Sequence, residues 1–189
     1  MVTVYEDSIG DDISRVLLDG KVYSSKDKTG TLFDRDREIT DMEEATYFYI
    51  AKLLEIPSKY RYIEAWKQKT NQLAPHCDFN VNYNREGADL SDESKFISPI
   101  TVAIYPLISD NLEGGELCVS SRSWRDELPN PFNKTREYLQ QFPYDKIKPK
   151  SRSIATFEGS NFYHWIEPIT KGFRSSILLN FWTYPIKSS

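Results

Sequence analysis

Residues 153–166 read SIATFEGSNFYHWI, in which two apolar runs flank a polar break. The runs, 153–157 and 161–166, are rich in β-branched and aromatic residues, which favour strands. The intervening segment, 158–160, has the Gly- and Ser-containing composition of a turn. This stretch therefore predicts two β-strands separated by a turn, and the same pattern extends outward in both directions.

The rest of the chain after residue 60 has the same character. Further apolar or aromatic runs lie at 61–67, 72–80, 97–107, 116–120 and 172–184. Polar or glycine-containing segments such as 85–94 and 111–115 separate them. Many strands with polar turns predict a mainly β fold with supporting helices, namely a double-stranded β-helix or jelly roll.

The first 60 residues differ from this pattern. Residues 24–38 are charged and poor in branched apolar side chains, which predicts an exposed loop. Asp41 and Glu44 offer a capping-box-like start for a helix. Apolar residues then recur on one helical face, at Tyr47, Ile50, Ala51 and Leu54. The sequence therefore predicts a helix over residues 41–55.

A polar, proline-containing segment, 121–150, interrupts the β pattern, and residues 135–141 within it favour a short helix. With 189 residues, the chain has the length of one ordinary domain. We therefore predict a single domain over residues 1–189. Helical and loop support occupies 1–60, and the jelly-roll core occupies 61–185 with the insertion 121–150.

The charge balance is mildly acidic, with 24 Lys and Arg against 28 Asp and Glu and a net charge of −4. A dedicated nucleic-acid-binding protein usually has a basic face, so this balance argues against that class. Two cysteines, Cys77 and Cys118, are too few for a disulfide scaffold and favour a reducing compartment. No apolar stretch approaches the ~18 residues of a membrane span, and no signal peptide is visible. We therefore expect a cytoplasmic protein without a membrane association.

The chain has only two histidines, and both lie where a metal site would need them. His76 begins the triplet His76-Cys77-Asp78, and His164 lies on a later predicted strand. Because alternate residues of a strand point the same way, His76 and Asp78 can reach one metal ion while Cys77 faces the other side. Two histidines and one carboxylate form the facial triad that holds Fe(II) and leaves the opposite positions open.

Each of these residues also has a purely structural explanation. A histidine on a strand is more often packed in a core than bound to a metal. Asp78 has the residue type of a turn former, and Arg174 that of a surface ion pair. Gly114-Gly115 is compatible with an ordinary hairpin turn. None of them alone predicts an enzyme; their combination and order are more specific.

In that order, the motifs resemble the Fe(II)- and 2-oxoglutarate-dependent dioxygenases, in particular the prolyl-4-hydroxylase-like branch. The resemblance covers roughly residues 62–184. The motifs that carry it are His76-Cys77-Asp78, Gly114-Gly115-Glu116-Leu117, and His164-Trp-Ile-Glu-Pro168 leading to Gly172-Phe-Arg174-Ser-Ser176.

The resemblance implies a role for each matching residue. His76, Asp78 and His164 would be the iron ligands. Arg174 would pair with the distal carboxylate of 2-oxoglutarate, because a planar guanidinium fits a carboxylate bidentately. Ser176 would add a hydroxyl donor to the same carboxylate.

Two aromatic residues complete the implied cofactor pocket. Tyr105 occupies the position at which prolyl-hydroxylase-like enzymes have a tyrosine that hydrogen-bonds 2-oxoglutarate. Trp66 falls where the family often has a second pocket tyrosine. An indole N–H can only donate a hydrogen bond, so at this position Trp66 would serve in packing or in a contact with the substrate.

The implied reaction is hydroxylation of a C–H bond, coupled to decarboxylation of 2-oxoglutarate to succinate with O₂, and with ascorbate as a further candidate cofactor. A prolyl residue of a peptide or protein is the first substrate candidate. A free amino acid or another small molecule is the second. The acid at position 78 favours hydroxylation, because a halogenating relative needs that position vacant for halide.

Two alternatives from other classes remain. A non-catalytic metal-binding jelly-roll module would explain the triad but not an anion-binding pair at Arg174 and Ser176. A nucleic-acid demethylase of the same superfamily is disfavoured by the net acidity. The loops 82–95 and 121–150 lie outside the motifs, and we expect the acidic segment 82–95 to act as a lid that orders on substrate binding.

Overall fold

The structure is a computed structural model that describes residues 1–19, 31–33, 41–60, 62–68, 71–79, 98 and 100–182. In this part of the chain the strands form two antiparallel sheets, one of six strands and one of four. Every strand segment predicted from the sequence overlaps an observed strand. The mainly β architecture is therefore confirmed.

The larger sheet supports the helices on its outer face. Its strands are β1 (Thr3–Tyr5), β2 (Thr31–Phe33), β3 (Tyr62–Gln68), β5 (Thr101–Ile108), β8 (Ser153–Phe157) and β10 (Arg174–Trp182), in the order β1-β8-β5-β10-β3-β2. The smaller sheet consists of β4 (Leu73–His76), β6 (Leu117–Ser123), β7 (Tyr144–Ile147) and β9 (Phe162–Ile166), in the order β4-β9-β6-β7.

The inner faces of the two sheets enclose one core. Its buried members come from both sheets and their connections: Ala103, Tyr105, Ile108, Leu112, Leu117, Val119, Ala155, Phe157, Ile166 and Leu178. Side chains alternate along β10, so that Ser176, Leu178 and Asn180 share the inner face while Ile177 and Leu179 belong to the outer cluster. The candidate metal ligands lie within this inner space.

Two helices, α1 (Asp11–Asp19) and α2 (Asp41–Leu53), pack on the outer face of the larger sheet. The buried cluster that they share with the sheet includes Leu17, Tyr47, Ile50, Val102, Ile104, Ile177, Leu179 and Phe181. The predicted helix 41–55 is confirmed by α2. The sequence analysis did not predict α1, whose nine residues give only a short run of helical periodicity. No helix in the described ranges is long and apolar enough to cross a membrane.

The predicted exposed loop 24–38 is wrong in its described part. Residues 31–33 form β2, which pairs antiparallel with β3 and places Phe33 opposite Trp66. A strand of three residues is too short to show periodicity, so pairing with a neighbour decides its structure. The remainder of 24–38 lies outside the described residues, as does the predicted lid segment 82–95.

The insertion 121–150 packs against the outer face of the smaller sheet. It contains a 3₁₀ helix (Trp124–Glu127), a short helix α3 (Arg136–Leu139) and β7, which pairs with β6 at the sheet edge. The short helix predicted at 135–141 is confirmed, whereas β7 was not predicted. The cluster beneath the insertion includes Cys77, Cys118, Trp124, Leu139, Tyr163 and Trp165. These contacts place the insertion away from the inner face that holds the candidate ligands.

The buried carboxylate of Glu127 holds three side chains of the insertion together. Its Oε2 lies 2.8 Å from Lys134 Nζ, its Oε1 lies 2.9 Å from Arg122 Nη2, and Tyr138 Oη donates to it. Burial alone would raise the pKa of Glu127, but the hydrogen bonds from Lys134, Arg122 and Tyr138 together lower this pKa to about 2. The ionised carboxylate is therefore stabilised in the folded protein relative to the unfolded chain.

Glu127→Gln is expected to lower the free energy of unfolding at pH 7 by about 2–3 kcal/mol. Because the folded pKa lies below the ordinary value of 4.5, the contribution is complete above that pH and is lost as the pH falls toward about 2. Urea unfolding at pH 7 and near pH 3 checks both statements. Glu113→Gln, which removes an exposed ion pair with Lys171, is the control with little expected effect. A difference between wild type and Glu127→Gln that does not shrink at low pH would contradict the prediction.

Candidate metal centre and anion pocket

The two histidines and Asp78 converge at one end of the inner space. His76 ends β4 and lies directly opposite His164 in the β4–β9 register. Asp78 follows two residues later, with Oδ1 3.4 Å from His76 Nε2 and Oδ2 3.4 Å from His164 Nε2. The three ligand atoms all lie within 4.8 Å of one another. The structure thus brings together the three residues that the sequence analysis selected.

Both imidazoles are held with Nε2 turned toward Asp78. His76 Nδ1 lies 2.8 Å from the Ala74 carbonyl, and His164 Nδ1 lies 3.2 Å from the Phe162 carbonyl. When Nδ1–H donates to these carbonyls, the Nε2 lone pair is free to bind a metal ion. Burial, with a further contribution from His76, lowers the pKa of His164 to about 4 although Asp78 opposes the shift. His164 is therefore a neutral imidazole at pH 7, which is the form that a metal requires.

Asp78 lies just beyond the end of β4 and is positioned by Gly159. The Asp78 amide donates to the Gly159 carbonyl at 2.9 Å. A Cβ atom on Gly159 would lie 2.8 Å from Asp78 Oδ2 and 2.5 Å from Thr101 Oγ1. Cys77, between His76 and Asp78, is buried in the cluster beneath the insertion and so lies on the opposite side, as the alternation predicted. The turn after β8 thus allows the carboxylate to approach only because position 159 has no side chain.

Gly159→Ala is expected to lower the affinity for a divalent metal by roughly 10–100-fold, the range found when groups that orient metal ligands are altered. The added methyl group must displace the carboxylate of Asp78 or the hydroxyl of Thr101. Calorimetric titration of Mn(II) measures the change. Gly10→Ala is the matched control, because its Cβ would contact only the Asp12 side chain, on α1. Wild-type metal affinity in Gly159→Ala would contradict this account of the site.

A cavity adjoins His164 on the inner face. Three polar side chains line it, on Tyr105, Arg174 and Ser176, and its apolar walls include Leu73, Ala103, Leu117, Ile166 and Leu178. Tyr105 Oη, Ser176 Oγ and two guanidinium nitrogens of Arg174, Nε and Nη2, are buried without a hydrogen-bond partner among the described residues. Several buried donors without partners, facing one apolar cavity, are groups of the kind that an anion would satisfy.

The Gly114-Gly115 turn orients Arg174. Arg174 Nη1 donates to the Gly115 carbonyl at 3.0 Å. Both glycines have positive φ, 79° and 76°, and a Cβ on Gly114 would lie 1.9 Å from the Pro168 carbonyl oxygen. Only glycine combines this conformation with such a close approach. The motif therefore fixes one guanidinium nitrogen and leaves the others directed at the cavity.

Arg174 is almost completely buried, with 2% of its surface exposed. Burial lowers the pKa of Arg174 from its ordinary value, although the nearby Tyr105 opposes the shift. A guanidinium remains charged under these conditions, and a buried cation without a counter-ion is unfavourable. A carboxylate in the cavity would supply both the missing charge and the missing acceptors, so the residues present fit the distal end of 2-oxoglutarate.

Trp66 is half-buried on β3 and packs against the inner core, opposite Leu178 on β10. Its indole hydrogen-bonds the carboxylate of Glu64, two residues earlier on the same strand. The contact of Trp66 with 2-oxoglutarate implied by the resemblance stays a prediction.

Glu64 is a polar residue of this site that the sequence analysis missed. It is 4% exposed, and its Oε2 accepts from Trp182 Nε1 at 3.2 Å and from Asn180 Nδ2 at 3.5 Å. Burial and the charge of Asp78 raise the pKa of Glu64 to about 7. The hydrogen bonds from Trp66, Asn180 and Trp182 lower this pKa but do not offset the increase. Alternation along the predicted strand 61–67 was the available signal, since Glu64 and Trp66 share one face.

Comparison with solved structures identifies the fold. A prolyl-4-hydroxylase from Pseudomonas putida superposes with a TM-score of 0.57 over 95% of this chain and 91% of that one, at 12% sequence identity. HygX from Streptomyces hygroscopicus with nickel and 2-oxoglutarate bound gives a TM-score of 0.57 over 95% of this chain and 81% of that one, at 13% identity. The same protein with nickel, 2-oxoglutarate and hygromycin B bound gives a TM-score of 0.54 at 13% identity, over 95% of this chain and 82% of that one.

At these identities the likeness establishes the fold, so the predicted jelly roll is confirmed. No family model matches the sequence, and the comparison with curated proteins found no match.

Proposed function

We propose that this protein is an Fe(II)- and 2-oxoglutarate-dependent dioxygenase that hydroxylates a C–H bond of its substrate. One observation carries the proposal: a cluster of two imidazoles and a carboxylate adjoins an apolar cavity lined by a buried guanidinium, two of whose nitrogens have no hydrogen-bond partner among the described residues. The cluster suits a metal ion, and the cavity with its guanidinium suits the carboxylate of 2-oxoglutarate. His164 belongs to the cluster and also lines the cavity. The jelly-roll fold supports the same conclusion.

In this proposal His76, Asp78 and His164 hold the iron by one face. Their side chains approach from β4, the segment after it and β9, which leaves the opposite positions open for other ligands. The hydrogen bonds from Nδ1 to backbone carbonyls keep both imidazoles in the ligating tautomer. When bound, the iron would supply the chemistry by which O₂ converts 2-oxoglutarate to succinate and CO₂ while one oxygen atom enters the substrate C–H bond.

Arg174, Ser176 and Tyr105 bind and orient 2-oxoglutarate in this proposal. Arg174 Nε and Nη2 pair with the distal carboxylate, and the hydroxyl groups of Ser176 and Tyr105 donate to the co-substrate. The apolar walls exclude water, which strengthens these charge-assisted bonds. Binding at this end of the cavity directs the keto acid end toward His164 and the metal.

The substrate is proposed as a prolyl residue of a peptide or protein. The motifs that match the prolyl-4-hydroxylase-like branch support this choice, and a solved structure with the same fold is named a prolyl-4-hydroxylase. A free amino acid or another small molecule is the second candidate, since HygX has been solved with hygromycin B bound. The non-catalytic metal-binding module is disfavoured, because such a module would leave the buried Arg174 without a counter-ion.

Succinate release tests the proposed reaction. The protein is incubated with Fe(II), 2-oxoglutarate, ascorbate and O₂, together with proline-containing peptides and free amino acids. We expect succinate to form, and one panel member to gain the mass of one oxygen atom. An absence of succinate in every reaction, from protein that binds both metal and 2-oxoglutarate, would contradict the enzymatic proposal.

A further inference from the structure

Glu64 has no role in the reaction as described, although it lies on the inner face near the metal ligands. Its side chain is almost fully buried, and only one carboxylate oxygen, Oε2, accepts hydrogen bonds at the distances given above. The other oxygen, Oε1, has no hydrogen-bond partner among the described residues. A buried carboxylate with an unused acceptor is unfavourable unless a donor or a cation completes it.

The strand register connects Glu64 to the metal centre. Glu64 lies opposite Asn180, which in turn lies opposite Thr101 on β5. Thr101 Oγ1 donates to Asn180 Oδ1 at 2.6 Å, and Asn180 Nδ2 donates to Glu64. The close contacts around Gly159 place Thr101 Oγ1 beside Asp78 Oδ2. A row of polar side chains thus runs from the metal ligand Asp78 to Glu64.

This row lies on the side of the metal centre away from Arg174. Arg174 and Asn180 share the inner face of β10, and the six residue steps from one to the other correspond to about 20 Å along a strand. His164 lines the cavity at the Arg174 end, whereas Asp78 lies beside Thr101 and Gly159. In the proposed function 2-oxoglutarate occupies the Arg174 end, so a substrate would approach the metal from the Glu64 end.

The charges of the complete site favour a cationic group at this end. In the proposed function, the two charges of Fe(II) are balanced by Asp78 and one carboxylate of 2-oxoglutarate, and Arg174 is balanced by the other. When it is ionised, Glu64 adds one negative charge that nothing described in the site neutralises, and a cation beside Glu64 would favour that ionised form. Its other neighbours, the indoles of Trp66 and Trp182, are donors without charge.

We propose that Glu64 binds a protonated amine or guanidinium group of the substrate and so orients the substrate beside the metal. This inference rests on the proposed function and adds a substrate class to it: a cationic amino acid, amine or basic peptide. Glu64 Oε1 forms the ion pair, while Trp182 and Asn180 hold Oε2 in place. The indoles next to the carboxylate make the occupied site detectable by tryptophan fluorescence.

The test compares probes that carry a given cationic group with probes of nearly the same shape in which that one group is neutral. The α-ammonium of the amino acids is present in both members of each pair, and the dipeptide pair tests a terminal amine. The protein is loaded with Mn(II) and 2-oxoglutarate and titrated with L-arginine and L-citrulline, with L-lysine and Nε-acetyl-L-lysine, and with a Pro-Gly dipeptide before and after acetylation of its amine. We expect at least one charged probe to bind about tenfold or more tightly than its neutral counterpart. In Glu64→Gln, which keeps the shape of the side chain, this preference should disappear.

Two further variants identify the cause of any change. Glu64→Asp keeps the charge and should retain part of the preference, whereas Glu6→Gln removes an exposed carboxylate outside the site and should retain all of it. An unaltered preference in Glu64→Gln would overturn the inference, as would the failure of every charged probe to bind wild type at millimolar concentration. Metal-dependent binding of 2-oxoglutarate, measured first in the same samples, reports on the proposed function separately. If that binding is present and the preference is absent, only the role of Glu64 is wrong.

Discussion

Asp78→Ala is expected to abolish the turnover of 2-oxoglutarate and to weaken metal binding by more than the ~10–100-fold that follows when a group that only orients a metal ligand is lost. The carboxylate is the only acidic member of the three-residue cluster, and its two oxygens approach both imidazoles at 3.4 Å. Without it, two histidines remain, which no longer match a facial triad. Calorimetric titration of Mn(II) and succinate release with Fe(II) measure the two effects.

The matched control is Asp110→Ala, which removes an exposed carboxylate from a turn away from the cluster. It should bind metal and turn over 2-oxoglutarate as the wild type does. His76→Ala should behave like Asp78→Ala in both measurements, with the fold intact by circular dichroism. If Asp78→Ala retains wild-type turnover, the assignment of the three ligands is wrong.

Arg174→Ala is expected to weaken 2-oxoglutarate binding by about 2–5 kcal/mol, because a desolvated, charge-assisted pair is lost. Metal affinity should change little, since Arg174 contacts the cavity and the Gly115 carbonyl rather than the ligand cluster. The folded protein should not be destabilised by loss of the charge itself, because the guanidinium is buried without a counter-ion in the absence of ligand. Calorimetric titration of 2-oxoglutarate into Mn(II)-loaded protein measures the affinity.

Two variants sharpen this prediction. Arg174→Lys keeps a positive charge but not the planar pair of donors, so its affinity should fall between those of wild type and Arg174→Ala. Lys171→Ala removes the neighbouring cation, which is exposed and pairs with Glu113, and should leave the affinity unchanged. If the affinity for 2-oxoglutarate is unchanged in Arg174→Ala but is lost in Lys171→Ala, then Lys171 rather than Arg174 binds the distal carboxylate.

Short-range periodicity was enough to predict much of this molecule. Alternation along strands placed His76 and Asp78 together and Cys77 on the opposite side, and the structure has both features. The helix at 41–53 followed from its apolar spacing. These features depend on residues close together in sequence, whose relative directions the backbone sets by itself.

Features that depend on partners distant in sequence were not predictable. β2 and β7 are edge strands of three and four residues, formed by pairing with β3 and β6. Glycine is required at position 159 only because the side chains of Asp78 and Thr101, from other segments of the chain, lie close to it in the folded protein. Glu64 resembles any polar residue on a strand until the register places it against Asn180 and near Asp78. Tertiary contacts decide each of these features. For Glu64, alternation along the strand indicates only that it shares a face with Trp66, not which residues it meets.

The central claim is that one site binds a metal ion and 2-oxoglutarate together, and a single titration tests it directly. 2-Oxoglutarate is titrated under anaerobic conditions into the protein with and without Fe(II), and into Asp78→Ala with Fe(II). The account predicts tight binding only to the Fe(II)-loaded wild-type protein, because Arg174 supplies one end of the site and the metal held by the triad supplies the other. Equal affinity with and without Fe(II), or no binding in either case, would contradict it.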